Sequence, residues 1–277
     1  MNLWIDGKYV DKEDERKISV FDHGFLYGLN CSESFRSYNG KVLLFPDHFH
    51  RLISNLAQLR IKFPYTKSEI IEVVAKLTER ANGEDGAFRL IVSAGVYQNK
   101  LHYQTQYNNP IVIIYRDSLS KRGSGLERSA KWLKTPFHSQ YQLNNYLGRL
   151  EIVNIDQCEG FFITQRGYVA CGVTSTIFWV KDGTLFTPSL QIGIEDGVIR
   201  QWVIRTAEKF NLRVIENFFT KQEVEEAYEC FIVNDVDEIV PISNIGNIKF
   251  LGEDGPVYQQ LHQAYINEII MLIEEVY

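Results

Sequence analysis

The sequence predicts a mixed α/β chain of the α+β kind, folded as two domains. Three observations carry that expectation. Tight-turn dipeptides stand between short apolar runs, at Asp6-Gly7, Asn39-Gly40 and Asp182-Gly183, as hairpins require. Segments with apolar residues at helical spacing are interspersed among them. Near the middle, Asp117 to Glu127 turns polar and rich in Ser and Gly, which reads as a link between domains. The expected division is residues 1–117, a linker at 118–127, and residues 128–277. A chain of 277 residues suits two domains of ordinary size.

The elements follow in order. Leu3 to Val10 contains the first hairpin. Phe35 to Tyr38 and Val42 to Phe45 flank Asn39-Gly40 as a second. Pro46 and Asp47 open a helix to about Arg60, with Phe49, Leu52, Ile53, Leu56 and Leu59 on one face. Thr66 caps a helix running from about Lys67 to Asn82, which Gly83 ends. Phe88 to Ala94 and Ile111 to Tyr115 are apolar, partly β-branched runs and read as strands. After the linker come a strand near Ser129 to Thr135 and a helix from about Leu143 to Cys158. Short strands follow, separated by Gln165-Arg-Gly167 and Asp182-Gly183. A helix runs from Gly197 to about Phe210, strands cover Leu212 to Glu216 and Glu229 to Val233, and Pro256 to Glu275 forms a closing helix. The acidic stretch Glu223 to Glu226 reads as a solvated helix face.

Composition narrows the function. The chain is 45% hydrophobic, enough for a substantial core, and carries a net charge of −6. No basic patch stands out, so nucleic acid is not an expected partner. No run of eighteen apolar residues occurs, so no membrane span is expected, and the N-terminus lacks the features of a secretory signal. Cys31, Cys158, Cys171 and Cys230 are scattered without a C-x-x-C pair. That pattern fits a reducing cytoplasm and no metal site.

Four groups of residues carry a resemblance. They are Ser19-Val-Phe-Asp-His-Gly-Phe-Leu-Tyr-Gly28 with Glu33 and Arg36; His48-x-x-Arg51-Leu52; Leu143-Asn-Asn-Tyr-Leu147 with Glu151; and Ile177 to Pro188 leading into Gly193-Ile-Glu-Asp-Gly-Val198 and Arg200. Together, in order and over nearly the whole chain, they resemble the class IV aminotransferases, the fold-type IV pyridoxal phosphate (PLP) enzymes. Within that family the pattern is most similar to the 4-amino-4-deoxychorismate lyases, which form p-aminobenzoate and pyruvate on the route to folate. The resemblance implies a two-domain fold, PLP in a cleft, and a homodimer.

The same alignment removes the groups that the family's chemistry uses. A PLP enzyme needs a lysine amine to form a Schiff base and shuttle protons. The family lysine falls on His138, seven residues before Asn145 without a gap, and Ser139 matches the residue that follows the lysine. Imidazole moves protons but forms no stable Schiff base. Lys134, four residues upstream, would sit roughly 13 Å away along an extended segment. The acid that keeps the pyridine nitrogen protonated falls on Cys171, in Val169-Ala-Cys-Gly172. The resemblance places the phosphate site at Arg51, at Gly197, Val198 and Ile199 where a helix starts, and at Asn234 and Asp235. Arg51 remains, either as part of an anion site or paired with a local acid such as Asp47. Gly197 and Val198 still offer backbone N–H groups. Ile199 stands where a hydroxyl is expected, and Asp235 would repel a phosphate. Glu33 and Arg36 read as a structural ion pair. The expectation is a lyase or aminotransferase homologue that has lost PLP catalysis, with a small anion as a replacement ligand. The alternative is an active enzyme with a rearranged site.

Overall fold

The hairpin dipeptides adopt the backbone that their side chains predict. Asp6 and Gly7, Asn39 and Gly40, and Asp182 and Gly183 all have positive φ, the signature of a two-residue turn matched to strand twist. Around them the computed structural model describes residues 2–10, 18–97, 102–119, 126–138, 142–154 and 157–274. Most of the expected link, 120–125, lies outside them, as do Ser139 and Glu275. The chain forms two compact units, Met1–Lys121 with Glu268–Tyr277, and Arg122–Asn267.

In the first unit, β1 (Asn2–Ile5) and β2 (Lys8–Val10) form the opening hairpin. A short helix α1 (His23–Tyr27) follows, capped by the Asp22 side chain on Phe25 N–H. Next come β3 (Asn30–Tyr38), β4 (Lys41–Val42), the helices α2 (Phe45–Gln58) and α3 (Lys67–Glu79), and the strands β5 (Gly86–Ser93) and β6 (Ile111–Ser118). The six strands form one antiparallel sheet in the order β2-β1-β6-β5-β3-β4. Leu52 and Leu56 of α2 and Ile70, Val74 and Leu77 of α3 pack with Phe35, Phe88 and Leu90 of the sheet. The expected strand at Val42–Phe45 stops at Val42, because Leu44 turns into the left-handed region and Phe45 opens the helix. Asp85 secures the Asn39-Gly40 turn, accepting from both backbone N–H groups at 3.0 and 3.1 Å.

The second unit is built on β7 (Arg128–Trp132), α4 (Gln142–Leu150), β8 (Cys158–Ile163), β9 (Val169–Gly172), β10 (Thr176–Lys181) and β11 (Thr184–Pro188). It continues with α5 (Val198–Lys209), β12 (Arg213–Asn217), α6 (Lys221–Glu225), β13 (Glu229–Asn234), β14 (Glu238–Ile245) and β15 (Ile248–Lys249). The closing helix α7 (Pro256–Glu274) starts in this unit and from Glu268 counts with the first. The sheet runs β12-β11-β10-β13-β14-β7-β8-β9, with β15 on β14. Its pairs β11/β12, β14/β7 and β7/β8 are parallel, and the rest antiparallel. One face buries Trp179, Phe161, Ile232 and Val240, with Val224 of α6 among them.

One expected helix is much shorter than predicted. The run Leu143–Cys158 yields helix only to Leu150, and Cys158 begins β8. The turn closes through Glu151 N–H on Gly148 and Ile152 N–H on Arg149. Beyond it, the side chain of Glu151 is committed to the segment that follows β7.

Candidate functional site

In the second unit, the residues singled out by the sequence fall on four structural features. The first is a strap between β7 and α4. Lys134 to His138 lies outside the named strands, held by one isolated parallel bridge between Phe137 and Thr164 and by side chains. Glu151 accepts from Lys134 N–H at 2.8 Å and from Thr135 N–H at 2.7 Å. Burial works against this carboxylate, but those hydrogen bonds and the charge of Lys131 prevail and lower its pKa. Phe137 N–H donates to Ile163 at 2.9 Å. His138 N–H donates to Oδ1 of Asn144, the first Asn of the Leu-Asn-Asn segment, at 3.0 Å. Asn144 is buried and faces inward, together with Gly148, whose missing side chain admits Phe162 and Leu133. Residue 138 is therefore fixed by its backbone, whatever side chain it carries. The imidazole of His138 is exposed, and so is Lys134.

Strand β9 is the second feature. Val169, Ala170 and Cys171 are all buried. Burial pushes the Cys171 thiol well above its usual range, and the charges of Glu159 and Glu195 push it further. Such a thiol stays protonated and is the reverse of an activated nucleophile. Glu159 lies in β8, fully inside the protein. Its Oε1 accepts from Gly160 N–H at 2.9 Å and Val173 N–H at 3.0 Å, and its Oε2 from the Ser175 hydroxyl at 3.1 Å. Burial raises its pKa, against the pull of those bonds and of Arg128.

The third feature is the start of α5. Gly197 is its N-cap in an extended conformation and supplies no side chain. Val198 and Ile199 are both buried, and the Ile199 side chain has no hydroxyl to offer an anion. Just before the helix, Asp196 accepts from Arg200 at 3.2 Å and also from Gln201. A carboxylate already occupies the positive end of this helix.

The turn after β13 is the fourth. Asn234 Oδ1 accepts from Val236 N–H at 2.9 Å and Asp237 N–H at 2.6 Å, closing an Asx turn that contains Asp235. Asp237 in turn pairs with Arg128 at 3.1 Å.

Arg51 belongs to the first unit and has its own partner. It holds Glu33 through two hydrogen bonds, Nε to Oε1 at 2.7 Å and Nη2 to Oε2 at 2.8 Å. His48 Nδ1 lies 3.1 Å from Oε2 of the same carboxylate. The sequence reading offered Asp47 to Arg51, and Arg36 to Glu33. Arg51 and Glu33 bind one another, Glu33 from β3 and Arg51 from α2.

Sequence reasoning missed Glu159 and Glu195. Glu159 had a signal, since it is a lone acid inside the apolar run Cys158 to Ile163. Glu195 had none. Its influence on Cys171 depends on where the chain folds back.

Comparison with known proteins accords with this architecture. The family model for amino-transferase class IV matches residues 30–245. An aminodeoxychorismate lyase from Bacillus subtilis is 34% identical over 284 residues, covering 99% of this chain and 96% of the relative. A D-alanine aminotransferase from Listeria monocytogenes is 28% identical, covering 97% and 96%. Among solved structures, a branched-chain aminotransferase from Thermoproteus uzoniensis superposes with a TM-score of 0.84 at 28% identity, covering 99% of this chain and 96% of the other.

Proposed function

The chain belongs to the amino-transferase class IV family, and from that premise we propose that it keeps the family fold while having lost lysine-dependent PLP chemistry, serving instead to bind a small molecule. The observation that carries this reading is the pinned strap. Asn144 holds the backbone of residue 138, and Glu151 holds Lys134 and Thr135, so the register is structural and the side chain presented is an imidazole.

The residues present do not fit PLP. Its aldehyde needs an amine, and position 138 has none. Its ring nitrogen needs an acid, and Cys171 is a buried neutral thiol. Its phosphate needs hydroxyls and a positive environment. Here Ile199 is in the core, Asp196 occupies the start of α5, and Arg51 is held by Glu33.

The test is direct. The purified chain is incubated with micromolar PLP, reduced with borohydride and digested. The expected result is no stoichiometric pyridoxyl group on any single lysine. A single modified lysine, Lys134 above all, would overturn the reading.

A second reading is favoured by the 34% identity to an aminodeoxychorismate lyase over 99% of the chain. On that reading the protein still makes p-aminobenzoate from aminodeoxychorismate, with another group replacing the lysine. Product formation above buffer, abolished by Lys134→Ala or His138→Ala, would support it. Turnover equal to buffer would exclude it.

A further inference from the structure

The first unit contains a groove that plays no part in the site described above. Helix α2 ends at Gln58, and the chain leaves it through Leu59 and Arg60, the latter with a φ of 54°. Ile61 then turns inward, buried, and forms a parallel bridge with Tyr107. Backbone hydrogen bonds fix this junction: Ile61 N–H donates to Leu56 at 2.9 Å, Tyr107 N–H to Arg60 at 2.9 Å, and Lys62 N–H to Tyr107 at 2.8 Å. Tyr107 is itself buried, its hydroxyl 2.9 Å from Nδ1 of His23 and accepting from Gln104 N–H at 3.2 Å. The exit of α2 and the loop before β6 are thus held against one another. Between them lies a cavity of about 530 Å³, lined by Ala57, Arg60, Ile61, Lys62, Thr105 and Gln106.

We propose that this groove binds a phosphate monoester, a small organic molecule carrying one phosphate group. Among the described residues, its lining holds Arg60 and Lys62 and no acid. Among the same residues, no ion pair or side-chain hydrogen bond engages either cation. In a chain of net charge −6, that is a local concentration of positive charge set in a concavity, where an anion is drawn in. A phosphate monoester brings roughly 1.5–2 negative charges and three acceptor oxygens at pH 7. Arg60 offers paired N–H donors, Lys62 a compact charge, and the Thr105 hydroxyl and Gln106 amide neutral donors. A carboxylate, with one charge and two oxygens, would leave much of this set unused. Pockets for small ligands run to ~300–1,000 Å³, so the volume suits a whole molecule more than a bare ion. Ala57 and Ile61 give its organic part an apolar wall. The groove stands apart from the proposed loss of PLP chemistry, since none of its residues enters that argument.

Isothermal titration calorimetry of the full chain at low salt, with phenyl phosphate, inorganic phosphate and acetate, tests the proposal. Phenyl phosphate is expected to bind with a submillimolar dissociation constant that rises with added salt. Inorganic phosphate should bind more weakly, and acetate at least about 10-fold more weakly than the ester. Arg60→Gln and Lys62→Gln should each raise the dissociation constant for phenyl phosphate by about 10-fold. Both side chains are exposed, so circular dichroism and melting temperature should stay at wild-type values. Thr105→Val removes a donor without touching the exit of α2 and should weaken binding by a smaller factor, whatever the Arg60 variant does to the fold. Cations that merely offset the C-terminal end of α2 would give the opposite result, a lower melting temperature with phosphate binding unmoved. That result would overturn the proposal. So would a wild type that ignores phenyl phosphate at millimolar concentration, or one that binds inorganic phosphate or acetate as tightly as the ester.

Discussion

Replacing Glu151 with Ala should release the strap that presents residue 138. The carboxylate receives two backbone hydrogen bonds, from Lys134 at 2.8 Å and from Thr135 at 2.7 Å. Hydrogen bonds to a charged acceptor contribute roughly 1.5–3 kcal/mol each when dry, but this group is partly exposed and water replaces part of the loss. The combined effect is about 2 kcal/mol, which corresponds to about a 30-fold change in local opening. Hydrogen exchange at the amides of Lys134 and Thr135 reads that opening directly, and both should exchange about 30-fold faster in the variant at pH 7. The pH dependence follows from the lowered pKa of Glu151. A carboxylate with a depressed folded pKa stabilises above its unfolded value, about 4.3, and that contribution is lost as pH falls through the folded value. The protection of wild type over variant should therefore shrink below about pH 4. Unchanged exchange at pH 7, or a gap that widens on acidification, would refute the account of how the strap is held.

Other expectations concern the same unit. The raised pKa of buried Glu159 has the opposite sign: its contribution is complete below the unfolded value of about 4.3 and is lost as pH rises through the folded one. Glu159→Gln keeps an acceptor for Gly160 and Val173 without the charge, so urea titrations should show its stability relative to wild type rising with pH. Gly148→Ala would place a methyl 2.4 Å from Phe162 Cζ and 3.0 Å from Leu133, so it should lower unfolding free energy by about 1–3 kcal/mol and unseat α4. Cys171, buried with a raised pKa, should resist iodoacetamide in the native protein and react fully in urea, as peptide mass spectrometry would show.

The sequence by itself determined the local geometry. Asp-Gly and Asn-Gly turns appear where written, because only those residues accept two consecutive positive φ values cheaply. Thr66 and Glu69 form the capping box that starts α3, and the periodic runs became α2, α3 and α5. The family pattern was also legible, and with it the substitution at 138. Tertiary structure decided what periodicity does not encode. It ended α4 at Leu150, where Glu151 turns to bind the backbone of the strap after β7. It brought Arg51 to Glu33, eighteen positions away and on another element. It buried Ile199 and brought Glu159 and Glu195 to bear on Cys171. Propensity and turn chemistry act over a few neighbouring residues. Charge pairing and burial act between elements, and the partner is known only when the sheet has brought the strands together.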